Sequence, residues 1–288
     1  MHYMEFVKKS FQNIKRYPVL LLPETVLFFA TYFLTLALYK FSGLAEFAKA
    51  ALAAGQKIDI ASFIGDFAQG YMGQIIWSFA AFVFLTFIIG AGTEAIKFKM
   101  VKMVIFREHV GIRDLFGGRW VDFWRIVAMK MIIYLIAMAI FLSLMLLASF
   151  VLSFSNGLSS LIAWVAIGIG LAVFVILSLG LLFRYALLFI EGQNAATTVR
   201  WSFHYFRAHT KVVIISWLIT MGIAFVFTLA SAIATVMFTS FRGMVSVPTA
   251  IYFISFLGAV AAFGIRLIYN VWSSLFLFEV YNKNEIVL

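Results

Sequence analysis

The stretch KFKMVKMVIFREHVGIRDLFGGRWVDFWR, residues 97–125, separates two long apolar segments of the chain. Seven of its residues are basic and three are acidic: Lys97, Lys99, Lys102, Arg107, Arg113, Arg119 and Arg125 against Glu108, Asp114 and Asp122. Basic residues beside apolar segments are retained on the cytoplasmic side of a membrane. The stretch is therefore predicted to be a basic cytoplasmic connection between two spans.

The composition supports a membrane protein. Hydrophobic residues make up 64% of the chain and charged residues 12%, and the mean hydropathy is +1.04. A soluble domain is about one quarter charged, so a water-exposed surface could not be covered here. Cysteine is absent, which excludes disulfides and thiolate chemistry. The net charge of +10 is explained by topology and by attraction to anionic lipids, so we expect the bilayer, and no nucleic acid, as partner.

Six apolar segments reach the roughly 20 residues that a helix needs to cross the hydrocarbon core. They cover residues 18–41, 71–96, 126–152, 161–190, 211–238 and 248–280. Only short connections separate spans three and four, and spans five and six, so each pair is predicted to form an antiparallel hairpin. The fold class expected is an all-α polytopic membrane protein, with residues 1–288 forming a single six-helix domain.

The distribution of Lys and Arg predicts the orientation. Sixteen of these residues fall on the side of the 97–125 connection and four on the other side. By the positive-inside rule, both termini are expected in the cytoplasm of a cell-membrane protein. Residues 42–70 then form an extracytoplasmic insertion, either a lid or a passive connection. Its second half is predicted to be a short helix capped by Asp59.

A repeated pattern precedes spans one, three and five. Three apolar residues at i, i+4 and i+7 recur there: Val7, Phe11 and Ile14; Phe116, Trp120 and Phe123; Val199, Phe203 and Phe206. This spacing lines one helix face. We expect short amphipathic helices in the cytoplasmic interface, and hence a threefold repeat of interfacial helix and hairpin. The alternative is that aromatic belts and basic flanks resemble one another at every cytoplasmic boundary.

Residues near these boundaries are predicted to contact the membrane surface. They are Lys15, Arg16, Arg113, Arg119, Trp120, Trp124, Arg125, Arg200, Arg207 and Lys211.

Motifs for catalysis or metal binding are missing from the sequence. The four histidines form no HExxH or similar cluster, and no phosphate loop, dinucleotide fingerprint or hydrolase elbow occurs. We therefore expect no metal, no cofactor and no catalytic residue, and a protein that is not an enzyme.

Charged residues inside the spans are the candidate binding residues, because a charge in hydrocarbon costs roughly 3 kcal/mol or more. Glu94, Arg184 and Arg266 fall at a similar depth, near the inner edge of the hydrocarbon. Either the arginines extend to the headgroups, or the charges converge on an anionic headgroup or solute. The candidate set for the second hypothesis is Glu94, Arg184, Arg266, Glu24, Glu191, Tyr185, Tyr269 and Asn270.

Three segments carry a family resemblance: YPVLLLP in span one, FGGRWVDFWRIV before span three and VRWSFHYFRAHTK before span five. With six spans, the chain resembles poorly characterised six-helix membrane proteins of bacteria and archaea, related to the membrane domain fused to some glycerophosphodiester phosphodiesterases. The resemblance implies a compact helical domain and work on lipids.

Three function classes remain open. The first is a lipid-interacting or small-solute transport-like protein, the second is a scaffold that docks another membrane or cytoplasmic protein, and the third, least favoured, is an intramembrane lipid enzyme.

Overall fold

The computed structural model describes residues 3–44, 46, 60–106, 108, 110–115, 120–152, 159–243 and 248–285. The described residues form helices and no strand. Nine of these are α-helices: α1 (Tyr3–Arg16), α2 (Leu22–Phe41), α3 (Ile60–Ile105), α4 (Trp120–Leu152), α5 (Ser159–Gly180), α6 (Arg184–Ile190), α7 (Ala195–Ala208), α8 (Thr210–Gly243) and α9 (Pro248–Glu285). Two short 3₁₀ turns, Pro18–Leu21 and Ile112–Leu115, precede α2 and α4.

Among the described residues, six stretches of helix are long and apolar enough to cross a membrane. They are Pro18–Phe41, Gly70–Ile105, Trp120–Leu146, Gly168–Ile190, Thr210–Arg242 and Phe253–Asn284. Large apolar side chains on them point outward, such as Trp77, Phe225 and Phe174, which are 77%, 70% and 69% exposed. Only a hydrocarbon environment accommodates so many exposed apolar groups. The predicted fold class, an all-α multi-pass membrane protein, is confirmed.

Contacts divide the chain into two compact units, of which the smaller is Leu22–Ala95. In this unit α2 ends at Phe41 and is followed by Gly43, whose φ of +79° a glycine adopts at little steric cost. The ring of Tyr71 on α3 occupies the space that a Cβ on Gly43 would need. A groove of about 370 Å³ lies between α2 and α3. Its lining residues are Leu34, Ala37, Leu38 and Phe41 from α2 and Trp77, Ser78, Ala81, Phe82 and Leu85 from α3.

The larger unit comprises Met1–Leu21 and Ile96–Leu288. Within it α4 packs on α5 and α8 packs on α9, as predicted for spans joined by short connections. In the second hairpin the ring of Phe238 fills the space beside Gly258, so the two backbones approach closely.

Helix α1 packs against the C-terminal half of α9. The Phe11 ring stacks on Trp272 with centroids 5.5 Å apart, and the Trp272 indole N–H donates to the carbonyl of Val7 at 3.4 Å. The Lys9 ammonium lies 2.7 Å from a carboxylate oxygen of Glu279, which is 1% exposed. Of the apolar face predicted for α1, Ile14 is buried and Val7 half-buried, whereas Phe11 remains 37% exposed beside Trp272.

Helix α7 packs on α4, α5 and α6, and thus on the hairpin that precedes it in sequence. Helix α1 packs on the last span. The polar side chains of Arg200, His204 and Arg207 on α7 are exposed.

The middle copy of the repeat differs from the prediction. Its described residues are the 3₁₀ turn Ile112–Leu115 and a helix that begins at Trp120 and continues into span three without interruption. The Phe116 position lies outside the described residues. No Pro or Gly occurs from Trp120 to Arg125, so nothing separates these residues from the span.

Two further boundaries differ from the prediction. Helix α3 starts at Ile60 and reaches Ile105, so the short helix predicted before span two is the beginning of that span's own helix, while Asp59 lies outside the described residues. Span four, predicted as one helix over residues 161–190, is interrupted between Gly180 and Arg184. Glycine alone does not predict such an interruption, because it is frequent within membrane helices.

Candidate functional site

The interruption of span four is held by side chains from α7. Helix α5 ends at Gly180, and the buried Ser202 hydroxyl donates a 2.6 Å hydrogen bond to the Gly180 carbonyl. The last carbonyls of a helix have no partner in their own helix, so an external donor stabilises this end. The Phe203 ring occupies the space that a Cβ on Gly180 would need, which allows α7 to approach the backbone closely.

Arg184 is the first residue of α6 and lies directly after the interruption. Its Nη1 donates to the Leu181 carbonyl at 3.0 Å, and its guanidinium carbon is 4.7 Å from the centroid of the Tyr185 ring. Its Nε is buried and has no hydrogen-bond partner in the described part of the chain, and no carboxylate there forms an ion pair with Arg184. The guanidinium is therefore only partly satisfied by protein groups.

A cleft of about 330 Å³ borders Arg184. Its walls come from α4, from the end of α5 and from α7: Ile133, Ile136, Ala137, Phe174, Leu177, Ser178, Leu181, Arg184 and Phe203. All of these residues except Ser178 and Arg184 are apolar. An apolar cleft with a cation at its edge is suited to an amphiphile that has an anionic head and an apolar tail.

Arg266, Tyr269 and Asn270 do not line the Arg184 cleft. Arg266 and Asn270 are exposed on the uninterrupted helix α9. The Tyr269 hydroxyl donates to the Thr220 carbonyl at 3.4 Å, which joins α9 to α8. Tyr185 stacks on Phe98, with centroids 4.0 Å apart.

The predicted carboxylates lie elsewhere. Glu24 and Glu94 belong to the smaller unit and are half-buried there. Glu191 caps the C-terminus of α6 and accepts a hydrogen bond from the Tyr281 hydroxyl at 3.1 Å. It lines a different pocket from the one that Arg184 borders. Of the eight candidate residues, Arg184 alone lines this cleft.

The predicted membrane-surface residues are mostly exposed. Lys15, Arg16, Arg113, Arg200, Arg207 and Lys211 are exposed, as are Trp120 and Trp124. Arg125 is half-buried, with a guanidinium nitrogen 3.9 Å from the Asp122 carboxylate. Arg119 lies outside the described residues.

Sequence reasoning missed several polar contacts in the larger unit. Lys9 and Glu279 are 270 positions apart, so no local spacing could have paired them. Lys102, from the basic connection, donates to the Phe189 carbonyl at 2.8 Å and so binds the C-terminus of α6. The hydrogen bond from Ser202 to the Gly180 carbonyl could not be predicted either, because a serine on an amphipathic helix has many possible partners.

No group of three or more His, Asp or Glu side chains in the described ranges could hold a metal ion. The site therefore rests on the guanidinium of Arg184 and the shape of its cleft. Comparison with protein-family profiles, with curated proteins and with solved structures gives no match.

Proposed function

We propose that this integral membrane protein binds an anionic lipid, with the headgroup at Arg184 and an acyl chain in the adjoining cleft. The observation that carries the proposal is the partly unsatisfied guanidinium at the edge of an apolar cleft. Leaving a donor of a charged group buried without a partner costs about 1–3 kcal/mol or more. An anionic ligand at Arg184 would offset that cost.

The chemistry of the ligand follows from the residues present. Arginine binds phosphate through two parallel hydrogen bonds, and the Nε and Nη2 groups of Arg184 can supply such a pair. Leu177, Ile133 and Phe174 offer apolar surface beside the guanidinium, which a small hydrophilic anion would leave unused. A phospholipid with net negative charge satisfies both parts of the site.

The membrane and the orientation of the chain in it are part of the proposal. The chain lies in the cell membrane with both termini in the cytoplasm, an orientation supported by the excess of Lys and Arg on that side. Because the sequence contains no cysteine, single cysteines can be introduced without background labelling. In intact cells, a membrane-impermeant maleimide should label Lys40→Cys and spare Lys283→Cys. The opposite result would invert the topology.

The test of lipid binding is native mass spectrometry of the purified full chain. We compare the wild type with Arg184→Leu, with the charge-retaining Arg184→Lys and with Arg266→Leu as a matched control. Retained anionic lipid should be lost in Arg184→Leu, reduced in Arg184→Lys and unchanged in Arg266→Leu.

Equal retention in all four proteins would contradict lipid binding at Arg184. It would favour the alternative function, a scaffold whose cytoplasmic basic face docks another protein. The melting temperature of each variant in detergent controls for unfolding, because an unfolded protein loses bound lipid whether or not Arg184 contacts it.

A further inference from the structure

A second pocket of the larger unit, of about 300 Å³, lies between α6, α7 and the end of α9. The turn that forms it begins at Gly192, whose φ of +68° allows α6 to end with Glu191 as its C-cap. Two residues later the Asn194 side chain accepts a 2.9 Å hydrogen bond from the Thr197 amide and starts α7. This turn places Glu191 and Gln193 on the pocket wall.

Aromatic rings make up much of the remaining wall. Trp201 and His204 from α7 pack edge to face with centroids 5.4 Å apart, and the Tyr205 ring lies 5.2 Å from that of Tyr281 and 4.6 Å from that of His209. Tyr205 and Tyr281 are buried, whereas Trp201 and His204 are exposed at the mouth. The pocket thus has an aromatic base and an open side.

Two acceptor groups, the Glu191 carboxylate and the Gln193 side-chain oxygen, line this pocket. Glu191 accepts from the Tyr281 hydroxyl, but no Lys or Arg in the described part of the chain forms an ion pair with it. The Gln193 side-chain oxygen is buried and has no hydrogen-bond partner among the described residues.

From this arrangement we propose that the pocket binds an organic ammonium ion. A cation is attracted to the faces of Trp and Tyr rings, and a carboxylate adds a charge-assisted contact. A methylated ammonium such as choline fits the aromatic rings, and the Gln193 oxygen can accept from an ammonium N–H or a ligand hydroxyl. The source is either a free small molecule or the headgroup of a phospholipid. The inference is independent of the anionic site at Arg184.

The test is calorimetric titration of the purified full chain with choline chloride, with sodium chloride at equal ionic strength as the blank. Choline should bind the wild type, and Glu191→Gln should weaken that binding about tenfold, because the quaternary ammonium loses its attraction to the carboxylate. Tyr281→Phe keeps the ring and loses the hydroxyl that orients Glu191, so it should have a smaller effect. Glu5→Gln removes an exposed carboxylate from α1 and is the matched control.

Absence of choline binding to the wild type would overturn the proposal, as would unchanged binding to Glu191→Gln. Melting curves establish that the variants are folded. The source of the ammonium is resolved in lipid nanodiscs: phosphatidylcholine should compete with choline if the pocket takes a headgroup. If phosphatidylcholine and phosphatidylglycerol discs give the same choline affinity, the pocket takes a free ammonium.

Discussion

Spans four and six each carry an arginine at a similar predicted depth, but the two arginines have different surroundings. In span four the helix stops at Gly180, a turn follows, and Arg184 begins a new helix beside an apolar cleft. In span six, α9 continues through Arg266, which is exposed. The backbone of span four is reshaped by α7, and no such reshaping occurs around Arg266.

The difference shows what makes an intramembrane charge a candidate site. At the same depth, both arginines have the same free-energy cost of placing a charge in the hydrocarbon. An exposed arginine can lower that cost by extending its guanidinium to the headgroups. The Nη1 group of Arg184 donates a hydrogen bond to the carbonyl of Leu181, three residues earlier, and its Nε is buried. Protein contacts therefore hold the Arg184 guanidinium in one position beside a cleft, whereas Arg266 is an exposed charge on the helix surface.

The largest expected effect on stability comes from Gly180→Ala. The added Cβ would overlap the Phe203 ring, and displacing that ring should cost about 2 kcal/mol. The matched control is Gly264→Ala in span six, where no atom lies within 4 Å of the new Cβ. Its melting temperature in detergent should be unchanged or slightly raised. An equal decrease in melting temperature for Gly180→Ala and Gly264→Ala would show that the backbone at Gly180 is no more tightly packed than that of span six.

An intermediate effect is expected for Ser202→Ala. The substitution leaves the buried Gly180 carbonyl without the Ser202 donor, at a cost of about 1 kcal/mol or more. Ser273 in span six is the control, because its hydroxyl donates to the Asn270 carbonyl within the same helix. Thermal unfolding should show a clear decrease for Ser202→Ala and almost none for Ser273→Ala. A decrease of similar size in both would mean that the Ser202 contact does not hold the interruption.

The smallest effect is expected for Arg266→Leu. An exposed arginine without an ion pair in the described residues contributes within about 0.5 kcal/mol. The melting temperature should therefore match that of the wild type. A loss as large as that of Gly180→Ala would show that Arg266 has a structural role.

The spans and the short amphipathic helices α1 and α7 could be predicted from sequence, because membrane thickness sets the length of the spans and helical periodicity marks the two short helices. The interruption at Gly180 could not, because it depends on Ser202 and Phe203 from a helix some 20 residues later in the chain. The same holds for the Lys9 and Glu279 pair, which forms only once α1 packs on α9. Arg184 was identified as a candidate by its charge, but its cleft follows from tertiary packing that no local pattern reports.

The most direct test of the central claim is to locate the bound lipid. The purified full chain is reconstituted with a photoactivatable phosphatidylglycerol that carries its reactive group on the acyl chain, and the adducts are mapped by peptide mass spectrometry. Adducts should be concentrated on the cleft residues Ile133, Phe174 and Leu177, and they should be lost in Arg184→Leu but not in Arg266→Leu. Adducts spread evenly over the exposed faces of the spans, unchanged by Arg184→Leu, would contradict it.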